Sequence, residues 1–406
     1  MRASIITIGN ELLKGFTIDS NSSYIGSKLT DLGVKTVWKA TPEDNSDEII
    51  ESIKIANSKS DIIICTGGLG PTIDDVTLKT FSSFINKKIL IDEEYLKVLK
   101  NKYLKRNIKM SDINKNQSNY IEDTNIIPND LGSARGIDYF FNNTRFFFLP
   151  GVPKEMRKMF DDYVVNEISN SIDEKYYTLR IKTFGIVESK IQELIYNKLD
   201  LKNISISFLP SFKGVQIILF SKSLKLLKSL GNEIEFLLGN KIYTNENFSL
   251  EEIILKLLDK KHLTISIAES CSGGLTSDLI TNIPGSSKIF KGSIISYSNE
   301  SKISLLNVSK ESIERFGAVS DQVAKEMALG VRKRFNTDIG LSITGIAGPT
   351  GESKDKPIGF TCFGINDSNG DFVANRILSN HRRTNKELSS RTILNLLRLK
   401  IVERVN

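Results

Sequence analysis

The sequence predicts an α/β protein in which two α/β sandwich domains with mostly parallel sheets are joined by a small α+β middle domain. A chain of 406 residues is too long for one compact core. Short apolar strands alternate with amphipathic helices towards both ends, as in parallel sheets that helices cover on both faces. Between these regions the alternation changes. We therefore expect domains at residues 1–170, 171–247 and 248–406.

The first domain is predicted from strands and helices that follow one another in turn. The expected strands are Ser4–Ile8, Val34–Ala40, Asp61–Cys65 and a last one around Phe146–Leu149. The expected helices are Asn21–Leu32, Ser46–Asn57 and one that begins at Lys154. Gly33 directly follows the first helix, where a glycine commonly ends a helix. This order is typical of a parallel sheet.

The middle segment has the order β-α-β-β-α-β, which is typical of a small α+β domain. Its predicted elements are strands at Tyr177–Phe184, Ile204–Leu209, Gly214–Ser221 and Lys241–Tyr243 and helices at Glu188–Lys198 and Leu224–Leu238. No cluster of chemically reactive side chains stands out here. A structural spacer is the simpler interpretation, and a binding module is the alternative.

The last domain returns to alternating strands and helices. The expected strands are Thr264–Ala268, Ile289–Tyr297 and Asp338–Thr344. The expected helices are Leu250–Asp259, Ser272–Asn282, Ser320–Phe335 and Asn385–Val402. A polar loop is expected at residues 351–356.

Composition narrows the class of protein. The 55 basic and 48 acidic residues give a net charge of +7, which suits an anionic small substrate as well as nucleic acid, and no nucleic-acid-binding module is apparent. Three scattered cysteines indicate neither a disulfide framework nor a zinc site. No signal peptide or membrane span is predicted, so we expect a cytoplasmic protein without membrane or nucleic-acid partners. With two histidines, His262 and His381, a hydrolase here more plausibly takes its base from Lys, Tyr or metal-bound water.

Two turns after predicted strands carry candidate catalytic groups, because ligand sites in such sheets form where strands end and helices begin. Ser270 lies in the turn Ala268-Glu-Ser-Cys-Ser-Gly-Gly274, where backbone N–H groups could stabilise an oxyanion. Lys302 follows Tyr297-Ser-Asn-Glu-Ser at another strand end, where burial could make it a base. Taken singly, a helix-capping serine and a surface lysine are the simpler interpretations.

A third turn, Thr344-Gly-Ile-Ala-Gly-Pro349, is also rich in small residues and should lie on the same sheet edge. Together with Gly285-Ser-Ser and Gly317-Ala-Val-Ser, these motifs resemble the C-terminal domain of the CinA family over about residues 250 to 402. This chain departs from the usual family pattern at three places. Ser272 stands where the family commonly has Thr, Glu352 where it commonly has Gly, and Asn380-His381 where it often has Gly-Asp before the arginine at 382.

The resemblance implies a nicotinamide mononucleotide deamidase that needs no cofactor. Ser270 would be the nucleophile and Lys302 the general base, with Tyr297 supporting the pair. Substrate or oxyanion would be held by Thr344, Gly345, Gly273, Gly274 and Arg382. Cys271 is the rival nucleophile, although we expect its side chain to point inward.

The N-terminal domain has its own candidate site in Thr66-Gly-Gly-Leu-Gly-Pro-Thr-Ile-Asp-Asp75. Such a glycine loop can bind phosphate, and nearby acidic residues can hold a cation, although a capped turn is the simpler interpretation. The segment resembles the molybdopterin-binding-like domain that opens CinA proteins. This implies a metal-dependent ADP-ribose pyrophosphatase with a divalent cation of unknown identity. The metal residues would be Asp44, Asp74 and Asp75, and the phosphate residues Gly67, Gly68 and Gly70.

The middle segment resembles the KH-like domain of full-length family members, without the Gly-x-x-Gly loop that RNA binding would need. The resemblance also implies a homodimer. The alternative to a two-activity enzyme that acts on nicotinamide mononucleotide and ADP-ribose is a competence-linked regulator. It would bind molybdopterin or a nucleotide while one or both sites are inactive.

Overall fold

The computed structural model describes residues 1–105, 107–171 and 176–403. The chain divides into two compact units, one formed by residues 1–178 and 220–224 and the other by residues 179–219 and 225–406. None of the described helices is long and apolar enough to cross a membrane. The predicted domain boundaries at 170 and 247 stay a prediction.

The strands and helices alternate as follows in the first half of the chain. The strands are β1 (Arg2–Thr7), β2 (Lys35–Ala40), β3 (Ile62–Thr66), β4 (Ile89–Ile91), β5 (Asn119–Ile121), β6 (Asn125–Ile127), β7 (Gly136–Phe141), β8 (Thr144–Leu149), β9 (Tyr177–Thr183), β10 (Ser205–Ser211), β11 (Gly214–Ser221) and β12 (Ile242–Thr244). The helices are α1 (Asn10–Leu13), α2 (Ser20–Asp31), α3 (Ser46–Lys59), α4 (Thr77–Phe84), α5 (Glu93–Lys105), α6 (Pro153–Met159), α7 (Val165–Asn170), α8 (Glu188–Lys198) and α9 (Leu224–Leu238).

The second half begins with a helix and ends with the longest one. Its helices are α10 (Leu250–Lys260), α11 (Leu275–Thr281), α12 (Asn299–Leu306), α13 (Lys310–Phe316), α14 (Asp321–Phe335) and α15 (Arg382–Glu403). Its strands are β13 (Ile265–Glu269), β14 (Phe290–Ile295), β15 (Ile339–Gly345), β16 (Phe360–Asp367) and β17 (Gly370–Ile377).

The N-terminal sheet has six strands in the order β2-β1-β3-β8-β7-β6. The first four are parallel and the last two antiparallel, so this sheet is mostly parallel, as predicted. Two apolar clusters cover its opposite faces, one containing Phe147 and the other Phe146 and Phe148. Because side chains alternate along a strand, the Phe146-Phe-Phe run supplies both faces at once.

The middle segment forms a four-stranded antiparallel sheet in the order β10-β11-β9-β12. The elements follow one another as β-α-β-β-α-β, which is the predicted order. Helix α9 turns Leu227, Leu230 and Ile234 inward at the three- and four-residue spacing of an amphipathic helix.

The C-terminal sheet differs from the prediction of a mostly parallel sheet, because it is mixed. Its order is β14-β13-β15-β16-β17; β14, β13 and β15 are parallel, whereas β16 and β17 form an antiparallel hairpin that the sequence analysis did not predict. The hairpin turns at Ser368-Asn369, between the paired residues Asp367 and Gly370. The outer strand β17 is largely exposed, and its sequence shows no regular alternation of apolar and polar residues.

The parallel strands of this sheet position the candidate site. Their carboxyl ends lie side by side, since Glu269 of β13 pairs with Ile295 of β14 and with Ile343 of β15. Helices α10 and α15 contribute to the core cluster on one face, and α14 contributes to the cluster on the other.

Candidate active site

Ser270 directly follows β13, in the turn that leads into α11. Its backbone N–H donates to the carbonyl oxygen of Ile343 at 2.9 Å, which attaches the turn to the end of β15. The serine is 7% exposed. The predicted nucleophile therefore lies at the carboxyl edge of the sheet, in a well-anchored position.

The buried carboxylate of Glu269 holds this turn in shape. Its two oxygens accept hydrogen bonds from the hydroxyl of Ser272 (2.7 Å), the backbone N–H groups of Gly274 (3.0 Å), Thr276 (3.1 Å) and Ser277 (2.9 Å), and the hydroxyl of Ser277 (2.6 Å). The carboxylate thus caps the first turn of α11 from below and is fully buried.

Gly273 and Gly274 shape the turn rather than line its cavity. Their φ angles of +60° and +91° lie in the left-handed region, which glycine adopts without strain. Both were predicted to hold substrate or oxyanion, and that role stays a prediction. Glu269 was not among the predicted site residues, although an acidic residue directly before a Ser-x-x-Gly-Gly turn is suited to accept hydrogen bonds from the backbone N–H groups at the start of the next helix.

Lys302 reaches Ser270 from the first turn of α12. Its Nζ donates to Ser270 Oγ at 3.1 Å and to the carbonyl oxygens of Ser296 at 2.8 Å and Tyr297 at 3.4 Å. A capping box between Ser298 and Ser301 starts the helix and directs the lysine inward.

The lysine is among the most deeply buried large side chains, at 1% exposed. Burial lowers the pKa of Lys302 from the usual value of 10.5, and the nearby Cys271 opposes this shift only in part. A lysine with a lowered pKa supplies the neutral amine that can take a proton from a serine hydroxyl. The surface-lysine interpretation is therefore wrong.

Cys271 is buried, as expected, with its sulfur beside Gly345, but it also contributes to the lining of the cavity that Ser270 and Lys302 border. It belongs to the apolar cluster of the C-terminal sheet, and burial raises the pKa of its thiol to about 12. Since the thiolate is the nucleophilic form, this cysteine stays protonated and inert near neutral pH.

A cavity of about 240 Å³ opens beside Ser270 and Lys302. Among the predicted residues, Tyr297, Thr344, Gly345 and Arg382 also line it. Four of the predicted residues thus line the same cavity as the serine and the lysine. This convergence is expected of turns that follow neighbouring parallel strands.

The hydrogen bonds of Tyr297, Arg382 and Thr344 define what each of these lining residues contacts. The ring of Tyr297 is 61% exposed and its hydroxyl accepts a hydrogen bond from Arg382 at 3.1 Å, so Tyr297 contacts Lys302 through its backbone carbonyl instead. Arg382 also donates to the carbonyl of Gly348 at 2.8 Å. The hydroxyl of Thr344 donates to the carbonyl of Ala318 at 2.9 Å, which leaves it able to accept but not to donate.

A second cation near the turn was missed by the sequence analysis. A methyl group placed on Gly273 would lie 3.4 Å from the Nζ of Lys386. Lys386 is four residues after Arg382 on α15, so both side chains project from one face of the helix. The four-residue spacing of Arg382 and Lys386 in the sequence could have indicated that the two cations lie on one face of the helix.

The N-terminal unit has a larger cavity, of about 680 Å³. All six predicted residues line it, namely Gly67, Gly68, Gly70, Asp44, Asp74 and Asp75. At Gly68, where φ is +65°, a Cβ would lie 2.1 Å from the Thr77 hydroxyl, so the close approach requires glycine.

The carboxylates of this cavity are the predicted metal ligands. Asp44 accepts a hydrogen bond from the backbone N–H of Asn10 at 2.9 Å, and Asp75 accepts one from that of Thr72 at 2.8 Å. Within the described ranges, no three His, Cys, Asp or Glu side chains group closely enough to hold a metal ion. The residues therefore form no complete metal centre, but they fit a cation that one or two carboxylates share with substrate phosphates.

Comparison with known proteins agrees with this two-part architecture. A family model described as "CinA C-terminal domain" matches residues 247–401, and one described as "Probable molybdopterin binding domain" matches residues 4–170. A "CinA-like protein" of Dictyoglomus thermophilum is 41% identical over 373 residues, which cover 90% of each chain.

Further relatives match the chain from end to end. A protein of Caldicellulosiruptor saccharolyticus, whose name refers to competence and damage induction, is 38% identical over 412 residues that cover 99% of this chain and 100% of its own. Among solved structures, the competence/damage inducible protein CihA from Agrobacterium tumefaciens is 34% identical and covers 37% of this chain and 92% of its own, with a TM-score of 0.36. The chain belongs to the CinA family, with an N-terminal molybdopterin-binding-like domain and a CinA C-terminal domain.

Proposed function

We propose that the C-terminal domain is an amidohydrolase that converts nicotinamide mononucleotide to nicotinate mononucleotide and ammonia. The observation that carries this proposal is the 3.1 Å contact between Lys302 Nζ and Ser270 Oγ, made by a buried lysine whose pKa is lowered. A buried cation without a carboxylate partner is costly for folding, so the arrangement makes best sense as a base for the serine.

The reaction follows from these two groups. Ser270 Oγ attacks the carboxamide carbon as its proton moves to the Lys302 amine, and the carbonyl oxygen becomes an oxyanion. The donors for it would be the backbone N–H groups of Cys271 and Ser272, which Glu269 does not engage. The lysine ammonium then gives its proton to the amide nitrogen, which leaves as ammonia when the C–N bond breaks. Water attacks the acyl-serine ester in a second round, in which the same amine takes a proton from the water and passes it to Ser270 Oγ as nicotinate mononucleotide is released.

The charge near the cavity suits this substrate. Arg382 lines the cavity and Lys386 lies beside the turn, and both are cations that could bind the phosphate of a mononucleotide. The cavity of about 240 Å³ is open to solvent at Tyr297 and Arg382, so part of the nucleotide would remain outside it.

A substrate panel with product analysis tests the assignment. Purified protein is incubated with nicotinamide mononucleotide, nicotinamide riboside and nicotinamide, and the products are separated by chromatography. We expect nicotinate mononucleotide from the first compound at a rate well above those of the other two. Failure to form any deamidated product would reject the amidohydrolase.

A second activity is proposed for the N-terminal domain, namely hydrolysis of ADP-ribose at its diphosphate. The observation that favours it is the cavity of about 680 Å³ that a glycine loop and three aspartates line. One or two of Asp44, Asp74 and Asp75 would hold a divalent cation together with the diphosphate, and the bound cation would neutralise charge there and activate water. Binding of molybdopterin or a nucleotide without cleavage is the alternative for this cavity.

A further inference from the structure

A separate cavity of about 340 Å³ lies within the C-terminal unit. Its walls are the β10–β11 hairpin, the first turn of α10 and the middle of α15. None of the residues that line it also lines the Ser270 cavity. A volume of this size is in the range of about 300–1,000 Å³ that small-molecule sites occupy.

Two buried charged side chains on this cavity have unsatisfied atoms. Arg391 is 5% exposed and Glu251 is 7% exposed. Arg391 Nε and Glu251 Oε1 form an ion pair at 3.6 Å, which is too long for a hydrogen bond, and neither atom hydrogen-bonds to any other described residue, whereas Arg391 Nη1 bonds to Glu387. Buried polar atoms rarely go without partners, because each one costs about 1–3 kcal/mol when unpaired.

A ligand that hydrogen-bonds to both Arg391 Nε and Glu251 Oε1 must present both an acceptor and a donor. Glu251 Oε1 can accept a hydrogen bond, and Arg391 Nε can donate one. Since these two atoms lie side by side, a planar group that presents a donor next to an acceptor could satisfy both. The amino-bearing edge of adenine has this pattern.

The rest of the lining suits an anion attached to a ring. Lys213 is exposed on the hairpin turn, and Lys182 is held nearby by a hydrogen bond of 2.9 Å to the carbonyl oxygen of Phe248. These two lysines supply the positive charge for an anion, because the charge of Arg391 is already balanced by its ion pairs with Glu251 and Glu387. The half-buried ring of Tyr243 and the apolar side chain of Leu250 supply a surface for a flat base.

We propose that this cavity binds a nucleoside monophosphate whose base carries an amino group, with AMP as the representative ligand. The base lies against Tyr243 with its amino group on Glu251 and a ring nitrogen on Arg391, and the phosphate meets Lys182 and Lys213. The middle segment is then part of a binding site, and the structural-spacer interpretation is incomplete.

Calorimetric titration of the full chain with AMP, inosine monophosphate and adenosine tests this site. We expect AMP to bind and the other two to bind at least about tenfold more weakly, because each lacks the amino group or the phosphate. Lys213→Ala should weaken AMP at least about tenfold, while the matched control Lys202→Ala, an exposed lysine of the same segment outside the cavity, should not. Glu251→Gln should reduce the preference for AMP over inosine monophosphate.

Two further variants locate the bound nucleotide. Ser270→Ala, in the catalytic cavity, should bind AMP as the wild type does, and Asp75→Ala, in the N-terminal cavity whose proposed reaction releases AMP, should keep the binding that Lys213→Ala weakens. Lys213→Ala should leave the rate of ammonia release unchanged. Absence of AMP binding, binding that Lys213→Ala does not alter, or binding lost in Asp75→Ala would overturn the proposal.

Discussion

Lys302 donates a hydrogen bond from its Nζ to the Oγ of Ser270, 32 residues earlier in the chain, across the ends of two parallel strands. Strand β14 carries the chain back to the edge at which β13 ends, and α12 starts there. The register of β13 with β14 therefore sets the distance between nucleophile and base.

Removing the amine of Lys302 should abolish most of the deamidase activity. We expect Lys302→Met to lower kcat by about 10²–10⁴-fold, the usual contribution of a general base, because the serine then has no group to take its proton. Initial rates of ammonia release measure the loss. Lys310→Met, at an exposed lysine eight residues later, is the control and should keep the wild-type rate.

The pH dependence should report the lowered pKa of Lys302. The active form is the neutral amine, so kcat/KM rises as pH rises through the pKa of this lysine, and the midpoint lies below the usual 10.5. A pH profile between 6 and 10 measures it. A rate that stays flat, or that falls across the alkaline half of this range, would argue against a lysine base.

Loss of the Glu269 carboxylate should destabilise the site and the domain together. Glu269→Ala removes the acceptor for five hydrogen-bond donors in a buried turn, so we expect the free energy of unfolding to fall by about 3–5 kcal/mol. Urea denaturation of the full chain measures it, with Glu311→Ala as an exposed control on α13. A loss below about 1 kcal/mol would show that the turn holds its shape without the carboxylate.

Arg382 should act on substrate binding more than on chemistry. It lines the cavity, and its guanidinium bonds to Gly348 and Tyr297 rather than to Ser270 or Lys302, so Arg382→Ala should raise KM for nicotinamide mononucleotide about tenfold or more with a smaller change in kcat. The same substitution should affect nicotinamide riboside less, because that compound has no phosphate. Equal effects on both substrates would show that Arg382 does not bind the phosphate.

ADP-ribose cleavage by the N-terminal domain should depend on a divalent cation. Chelation with EDTA and the substitution Asp75→Ala should each reduce release of AMP and ribose phosphate by at least about a hundredfold, since the diphosphate charge is then left unneutralised. Ser270→Ala serves as the control and should cleave ADP-ribose normally. Cleavage that survives both treatments would exclude the metal-dependent reaction.

Much of this architecture was accessible from sequence patterns, because strand ends in α/β sheets carry recognisable turns. Ser270, Lys302, Thr344 and Gly345 come together because β13, β14 and β15 are parallel neighbours. The burial of Lys302 could not be read from its polar neighbours Glu300, Ser301 and Ser304, since it arises from contacts of its amine with Ser270 and Ser296 at the sheet edge.

Other features depend on contacts between distant segments. The β16–β17 hairpin was missed because its outer strand is exposed and has no regular alternation of apolar and polar residues, and the antiparallel end of the sheet was missed with it. The 3.4 Å approach of Lys386 to a Cβ placed on Gly273 joins residues more than a hundred positions apart. Glu269 gains its role from backbone N–H groups that the turn exposes only once it has folded.

The most direct test of the Ser270–Lys302 pair is ammonia release from nicotinamide mononucleotide by the wild type, Ser270→Ala and Cys271→Ala. We expect steady release by the wild type, loss of at least about a thousandfold in Ser270→Ala, and largely retained release in Cys271→Ala. Activity that persists in Ser270→Ala but disappears in Cys271→Ala would contradict this expectation.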